Sequence, residues 1–166
     1  MIACFDVDYK ENKAQAACLV VDTWQAAAPV KAYSCIVEPI ANYESGQFYK
    51  RELPCILKLY ELVDLPISCM VVDSYVWLNS LYKPGLGAYL YEHFQQQIPV
   101  VGIAKNAFKE TNLLAKPMLR GSSKKPLYIT SAGIDLKEAA ECVQKMHGTH
   151  RIPSILKAVD HLARDW

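Results

Sequence analysis

The sequence predicts an α/β fold built on a mixed β-sheet, with three antiparallel strands followed by parallel strands and helices on both faces. Three runs rich in Val, Ile, Cys and Ala with brief turn-like connections predict an antiparallel meander over residues 2–38. From about residue 48, helical spacing alternates with continuous apolar runs, which is typical of strands joined by helical crossovers. With 166 residues, 52% of them hydrophobic, we expect a single domain over residues 1–166.

The meander begins with a strand at residues 2–9, which is apolar up to Phe5 and then carries two acids. Val7 and Tyr9 share one face of this strand, and Asp6 and Asp8 share the other. The apolar composition of the next two runs predicts two further strands that complete the meander. These lie at residues 17–23 and 30–38.

The second half of the chain alternates helices with buried strands. A helix begins near residue 48, and Pro54 fits only its first turn because proline removes an intrahelical hydrogen bond. Asp135 has the position of an N-cap, Gly148 ends the helix that follows, and Pro153 begins the last helix. The remaining elements are predicted as a strand at 67–73, a helix at 85–95, strands at 98–104 and 126–131, and a helix at 135–146.

Charge is unevenly distributed along the chain. The net charge is +1, but residues 101–130 carry +5 and the other residues carry −4. A basic segment on an otherwise acidic domain fits the phosphate backbone of a nucleic acid, and a solvated basic loop is the alternative. The cations of this segment are Lys105, Lys109, Lys116, Arg120, Lys124 and Lys125.

The six cysteines are scattered through apolar stretches, and none of them forms a CxxC pair. This spacing predicts reduced, buried thiols and argues against a disulfide framework or a cysteine zinc site. No basic leader follows Met1, and no apolar run reaches the roughly 18 residues that cross a bilayer. We therefore expect a soluble, cytoplasmic protein without membrane contact.

Two acids interrupt apolar sequence that is predicted to be buried. Asp6 lies in the first strand, and Asp73 closes the run Met-Val-Val. Buried carboxylates are costly unless they are paired or bind a metal, so two acids at adjacent strand ends predict a divalent cation. Glu52 at a helix start and Asp160 at the edge of an apolar stripe are further candidates. For these two, an acid at a helix N-terminus and a solvated helix acid are the alternatives.

Six short motifs, in this order and spacing, resemble those of the endonuclease V family, whose fold is ribonuclease H-like. Each motif is weak alone, but together they cover nearly the whole chain. The motifs are Asp6-Val7-Asp8-Tyr9, Tyr49-Lys50-Arg51-Glu52-Leu53-Pro54, Val71-Val72-Asp73, Ile98-Pro99-Val100-Val101-Gly102-Ile103-Ala104-Lys105, Lys125-Pro126-Leu127-Tyr128-Ile129 and His150-Arg151-Ile152-Pro153.

The resemblance implies an endonuclease that depends on Mg²⁺, with Mn²⁺ able to substitute. It would hydrolyse a phosphodiester bond 3′ of inosine in DNA or RNA and act in nucleic-acid repair or processing, as a monomer. The metal ligands would be Asp6, Glu52, Asp73 and Asp160, and Lys105 completes the catalytic set. The expected nucleic-acid contacts are Tyr43, Gly46, Lys105, Lys109, Arg120, Lys124 and Lys125.

The elements that would read the substrate depart from the family pattern. Residues 42–46 retain Tyr43 and Gly46 of the strand-separating wedge but lack its two prolines. The segment after Asp73 has no glycine, whereas the family has a Gly-rich loop ending in His. A nucleic-acid-binding protein with altered specificity or lost catalysis is therefore one alternative. A nucleotide-binding domain using Gly85-Leu86-Gly87 is another, but the full GxGxxG motif is missing, and close helix packing explains these glycines as well.

Overall fold

The computed structural model describes residues 1–166 as one seven-stranded mixed sheet with four helices. The strands are β1 (Ile2–Lys10), β2 (Lys13–Val21), β3 (Lys31–Val37), β4 (Cys69–Val72), β5 (Val100–Ala104), β6 (Lys116–Met118) and β7 (Leu127–Ala132). The helices are α1 (Tyr49–Tyr60), α2 (Leu86–His93), α3 (Leu136–Gln144) and α4 (Ser154–Arg164).

The sheet has the strand order β3-β2-β1-β4-β5-β7-β6. The first three strands form the predicted antiparallel meander, and β1, β4 and β5 are parallel to one another. The mixed α/β fold is confirmed. The sequence did not predict β6 or the antiparallel pairing of β7 with β5. A three-residue edge strand that contains Pro117 has no apolar run by which to recognise it.

Each face of the sheet carries its own apolar core. Alternate residues of the strands point to opposite faces, so Phe5 and Val72 pack on one side, and Cys4 and Val71 pack on the other. On the first side the sheet packs against α1 and α2, and on the second side against α3 and α4. Strand β1 is thus covered on both faces, which buries its first four residues, Ile2–Phe5.

None of the four helices has the length and apolar character that crossing a lipid bilayer requires.

Local features test two details of the sequence prediction. Asp135 caps α3 as predicted, and its carboxylate accepts a hydrogen bond from the backbone N–H of Glu138 at 3.2 Å. The placement of Pro54 in a first turn is wrong, because α1 begins at Tyr49. The helix begins near residue 48, as predicted, because Phe48 already has helical backbone angles and its carbonyl accepts a hydrogen bond from the N–H of Arg51 at 3.1 Å, and Pro54 therefore falls in the second turn.

All six cysteines are free thiols, as the sequence predicts. Cys4, Cys18, Cys55 and Cys69 are buried in the two cores, whereas Cys35 and Cys142 are only partly buried, so the predicted burial holds for four of the six. Burial disfavours the thiolate and raises the pKa of Cys4 to about 12, so this thiol is chemically inert at neutral pH.

Candidate active site

Asp6 and Asp73 lie side by side on adjacent parallel strands. The register of β1 and β4 pairs Phe5 with Val72, so the next residue along each strand is an acid. Both carboxylates line the same small pocket against the α4 face of the sheet. The backbone N–H of Val7 donates to Asp6 Oδ1 at 2.9 Å, which is the main local stabilisation of that carboxylate. The sheet therefore brings two of the predicted acids together.

Asp6 titrates near neutral pH. Burial is the largest cause that raises its pKa, from 3.8 to about 7, and the charge of Asp73 adds to it. The N–H of Val7 acts in the opposite direction, whereas Asp160 raises the pKa further. A carboxyl group that shares a buried site with other carboxyl groups is in an environment that favours a cation.

Glu52 and Asp160 complete the acidic cluster from opposite faces of the sheet. Glu52 lies in the first turn of α1 and is only 3% exposed. Burial, then the charges of Asp6 and Asp73, raise its pKa well above the ordinary value. Asp160 comes from α4, and its carboxyl group is close enough to Asp6 to raise the pKa of Asp6. Its Oδ1 also lies 3.1 Å from a terminal guanidinium nitrogen of Arg164.

Lys105 supplies a positive charge to this cluster. It directly follows β5, and its Nζ donates to Asp73 Oδ2 at 2.6 Å. Burial lowers the pKa of Lys105, but the hydrogen bond to Asp73 and the charges of the neighbouring acids outweigh burial and raise it. Lys105 is therefore a protonated donor at neutral pH.

Arg151, which sequence reasoning did not single out, fixes the backbone around Lys105. Its guanidinium donates to the carbonyl oxygens of Lys105, of Lys125 at 2.9 Å and of Pro126 at 2.9 Å. These bonds connect the end of β5 to the start of β7 and to the segment before α4. Arg151 lies in the His150-Arg151-Ile152-Pro153 motif. The motif was recognisable in the sequence, but nothing in it indicated what Arg151 does.

The donor chemistry of the cluster fits a hard divalent cation, although the side chains are not arranged as a closed ligand set. Carboxylate oxygens are the ligands that Mg²⁺ prefers, and their mutual repulsion is what such an ion relieves. No three Asp, Glu, His or Cys side chains are close enough together to hold an ion. Two of the carboxylates are instead paired with cations, Asp73 with Lys105 and Asp160 with Arg164.

Tyr43 and Gly46 lie beside this cluster at a second pocket. Tyr43 is 65% exposed, and Gly46 has a φ of +76°. Both residues line a cavity of about 250 Å³ together with Ser74, the neighbour of Asp73. The other lining residues are mostly apolar, namely Phe48, Tyr49, Leu78, Gly85, Leu86 and Phe108. The predicted wedge residues are thus placed at the mouth of an apolar pocket next to the acids.

The predicted basic contacts divide into exposed and buried side chains. Lys109, Lys124 and Lys125 are exposed, and Lys125 Nζ donates to Asn106 Oδ1 at 3.0 Å. Arg120, by contrast, is only 4% exposed. Its guanidinium donates to the carbonyl oxygens of Met146, Gly148 and His150. The inclusion of Arg120 among the nucleic-acid contacts is therefore corrected, because the side chain is buried and its two terminal nitrogens donate to carbonyl groups inside the fold.

Comparison with known proteins places this arrangement in a family. A model of the endonuclease V family matches residues 1–161 of the 166-residue chain. The chain belongs to the endonuclease V family. No curated protein sequence matches it.

Solved endonuclease V structures share the fold of this chain over almost its whole length. The Streptomyces avermitilis protein is 21% identical with a TM-score of 0.78, covering 98% of this chain and 79% of that one. Human ENDOV is 22% identical with a TM-score of 0.78, and the match covers 99% of this chain and 82% of that one. Ciona intestinalis endonuclease V, bound to a 23mer DNA containing inosine, is 17% identical, with a TM-score of 0.82 and coverages of 98% and 83%.

The segment after Asp73 lacks the glycines of the Gly-rich loop that the endonuclease V family has at this place. Two hydrogen bonds hold this segment against the rest of the fold. The hydroxyl of Tyr75 donates to the carbonyl of Asn106 at 2.6 Å, and Trp77 Nε1 donates to the carbonyl of Ser131 at 3.0 Å. A Cβ at Gly85 would lie 2.6 Å from the carbonyl oxygen of Tyr75, and one at Gly87 would lie 2.6 Å from a methyl group of Val76. Close packing against this segment therefore explains both glycines.

Proposed function

We propose that this protein is a Mg²⁺-dependent endonuclease that hydrolyses a phosphodiester bond 3′ of inosine in DNA or RNA. The observation that carries the proposal is the cluster at Asp6, in the middle of β1, and Asp73, just after β4, where burial and mutual charge raise the pKa of Asp6 and Glu52 beside Lys105. Membership of the endonuclease V family supports nuclease chemistry. The Ciona intestinalis structure with inosine-containing DNA supports the identity of the base.

Each residue of the cluster has a distinct task in this proposal. Asp6 would be the central metal ligand, with Glu52 and Asp73 beside it, and Mg²⁺ would supply an activated water and neutralise the charge of the leaving oxygen when bound. Asp160, close to Asp6 and open to the neighbouring cleft, orients the water or accepts its proton. Lys105 stays protonated and holds a phosphate oxygen of the substrate.

The pocket at Tyr43 would hold the inosine base. Its mostly apolar lining suits a base turned out of a stack, and the exposed ring of Tyr43 suits stacking on a base. One base–aromatic stack contributes about 1–3 kcal/mol. The pocket shares Ser74 with the depression that contains Asp73 and Lys105, so a base held there lies next to the acids.

The direct test is cleavage of labelled strands with one inosine, in DNA and RNA form, against matched strands with adenine. We expect cutting 3′ of inosine only, dependent on Mg²⁺ or Mn²⁺ and lost in Asp6→Asn and Asp73→Asn. Asp22→Asn, an exposed acid just after β2, is the matched control and should cut like the parent. Cutting that persists in Asp6→Asn, or in EDTA, would contradict the proposal.

A nucleic-acid-binding protein without catalysis is the second candidate, and one observation favours it. Lys105 occupies an oxygen of Asp73 at 2.6 Å, and no three possible ligands are close enough to hold an ion. In this case the protein should bind strands in a salt-dependent manner and cut none of them with any divalent ion. Cutting that depends on Mg²⁺ or Mn²⁺ would exclude it. A rise in melting temperature with Mn²⁺ that Asp6→Asn abolishes would remove the observation that favours it, because it would show that the cluster holds an ion.

A further inference from the structure

A second, larger cleft opens from the acidic cluster along α4, on the side away from the pocket at Tyr43. Its volume is about 470 Å³. Lys105 and Asp160 form the end that belongs to the candidate active site. The remaining wall comes from the β6–β7 connection, from the segment before α4, and from α4 itself. These residues are Ser122, Ser123, His150, Arg151, Ile152, Leu156, Lys157 and His161.

The surface between Tyr43 and this cleft is continuous. The pocket at Tyr43 shares Ser74 and Phe108 with a depression of about 380 Å³ that contains Asp73 and Lys105. Lys105 also lines the cleft along α4. An extended polymer could therefore lie across the pocket, the acids and the cleft and stay in contact with the protein surface throughout.

The chemistry of the cleft suits a phosphodiester backbone. Its charged groups are the cations Lys105, Arg151 and Lys157 against the single acid Asp160, and two histidines and two serine hydroxyls add hydrogen-bonding groups. Arg151 already donates to three backbone carbonyls, so it contributes mainly charge. Lys157 is exposed and takes part in no ion pair, so its ammonium group is available to a phosphate.

We infer that this cleft binds the backbone of the cut strand on the 3′ side of the scissile bond. The inference rests on the proposed function, which places inosine in the pocket at Tyr43 and the cut 3′ of it, at the acids. Continuing in the same direction along the strand leads past Lys105 into the cleft. The partly buried side chains of Ile152 and Leu156 give the cleft an apolar floor against which sugars can pack.

The first experiment shortens the strand. Inosine strands with one to six nucleotides 3′ of the cut are compared in DNA and RNA form, with KM and kcat measured separately. Binding of the same strands without divalent ion is measured by fluorescence anisotropy. We expect KM and Kd to fall about tenfold as the first few 3′ nucleotides are added, the size of one charged hydrogen bond to phosphate. Shortening the strand by the same number of nucleotides 5′ of inosine should have a smaller effect on both KM and Kd.

The second experiment changes Lys157. Lys157→Gln should remove most of the gain in affinity that the 3′ nucleotides provide. It should also reduce the slope of log K against log salt concentration by about 0.7, the value for one phosphate contact on a single strand. Lys58→Gln is the matched control, since Lys58 is an exposed lysine on α1, across the sheet. Lys157→Glu, in which the charge is reversed, should weaken binding further.

The outcomes separate the two claims. If affinity does not depend on the 3′ length, or if Lys157→Gln and Lys58→Gln bind alike, the cleft does not hold the strand and the inference is overturned. If no strand is cut but the 3′ segment and Lys157 still govern binding, the cleft assignment stands and the catalytic proposal fails.

Discussion

Replacing Asp6 by Asn should make the protein more stable while abolishing its proposed activity. In the folded protein Asp6 is surrounded by Asp73 and Asp160 and is largely removed from water, so its ionised form is disfavoured. Its pKa is about 7 in the fold and close to 3.8 when the chain is unfolded. Below about pH 4 the group is protonated in both states and has no effect. As the pH rises from 4 through 7, the unfolded state gives up the proton first, and the fold loses stability.

The size of this loss follows from the two pKa values. The difference between 3.8 and about 7 corresponds to about 4 kcal/mol of unfolding free energy above pH 7. An Asn side chain removes the charge but retains only part of the hydrogen bonding to Val7, which costs about 1–2 kcal/mol. The net gain for Asp6→Asn should therefore be about 2–3 kcal/mol at pH 8 and much smaller at pH 5.

Urea denaturation of both proteins at pH 5 and pH 8, without divalent ions, measures these differences. Asp8→Asn, on the same face of β1, is the control and should not show the same increase with pH. Adding Mg²⁺ at 100 times its Kd should stabilise the parent by about 2.7 kcal/mol and leave Asp6→Asn unchanged. A gain that is equal at both pH values, or absent at pH 8, would show that the buried carboxylate does not destabilise the fold.

Three other substitutions test separate parts of the structure. Arg120→Ala leaves three backbone carbonyls without their donors and should lower the unfolding free energy by about 3 kcal/mol in urea titrations. The same variant should keep the salt dependence of strand binding, and a reduced slope would return Arg120 to the nucleic-acid contacts. Gly102→Ala places a Cβ 2.4 Å from the carbonyl oxygen of Ser74 and should cost at least about 2 kcal/mol, seen as a lower melting temperature. Lys105→Ala should reduce kcat/KM on the inosine strand at least about 100-fold, while the exposed Lys137→Ala leaves it unchanged.

The sequence could predict the acids of the site because a charged residue inside an apolar run is visible without a structure. Asp6 and Asp73 interrupt such runs, and parallel pairing of their strands brings the two acids side by side. Glu52 and Asp160 were ambiguous by pattern alone, since acids at helix starts and on helix edges are common. Only the family resemblance singled them out as ligands. In the structure, burial and then the charge of Asp6 raise the pKa of Glu52, while Asp160, after burial and the charge of Asp73, also raises the pKa of Asp6.

Other features could not be predicted, because they depend on contacts between distant segments. Arg120 belongs to a basic stretch, yet the carbonyl groups that bury it come from residues 146–150, at the end of another helix. Arg151 likewise finds its partners near β5 and β7. The short strand β6 is defined by its pairing with β7 alone. Composition records the charge of a segment but not which carbonyl groups will surround it.

The interaction between Asp6 and Asp160 connects the first strand to the last helix, and this has a consequence for the order in which the protein folds. Closing so long a loop is entropically unfavourable until the intervening elements are in place. The carboxylates, which repel one another, therefore come together late in folding. By then the packing on both faces of β1 is in place to offset their repulsion. On the proposed function, a partly folded chain would expose no assembled acidic cluster to nucleic acid, and the proposed hydrolytic activity would arise only in the native state.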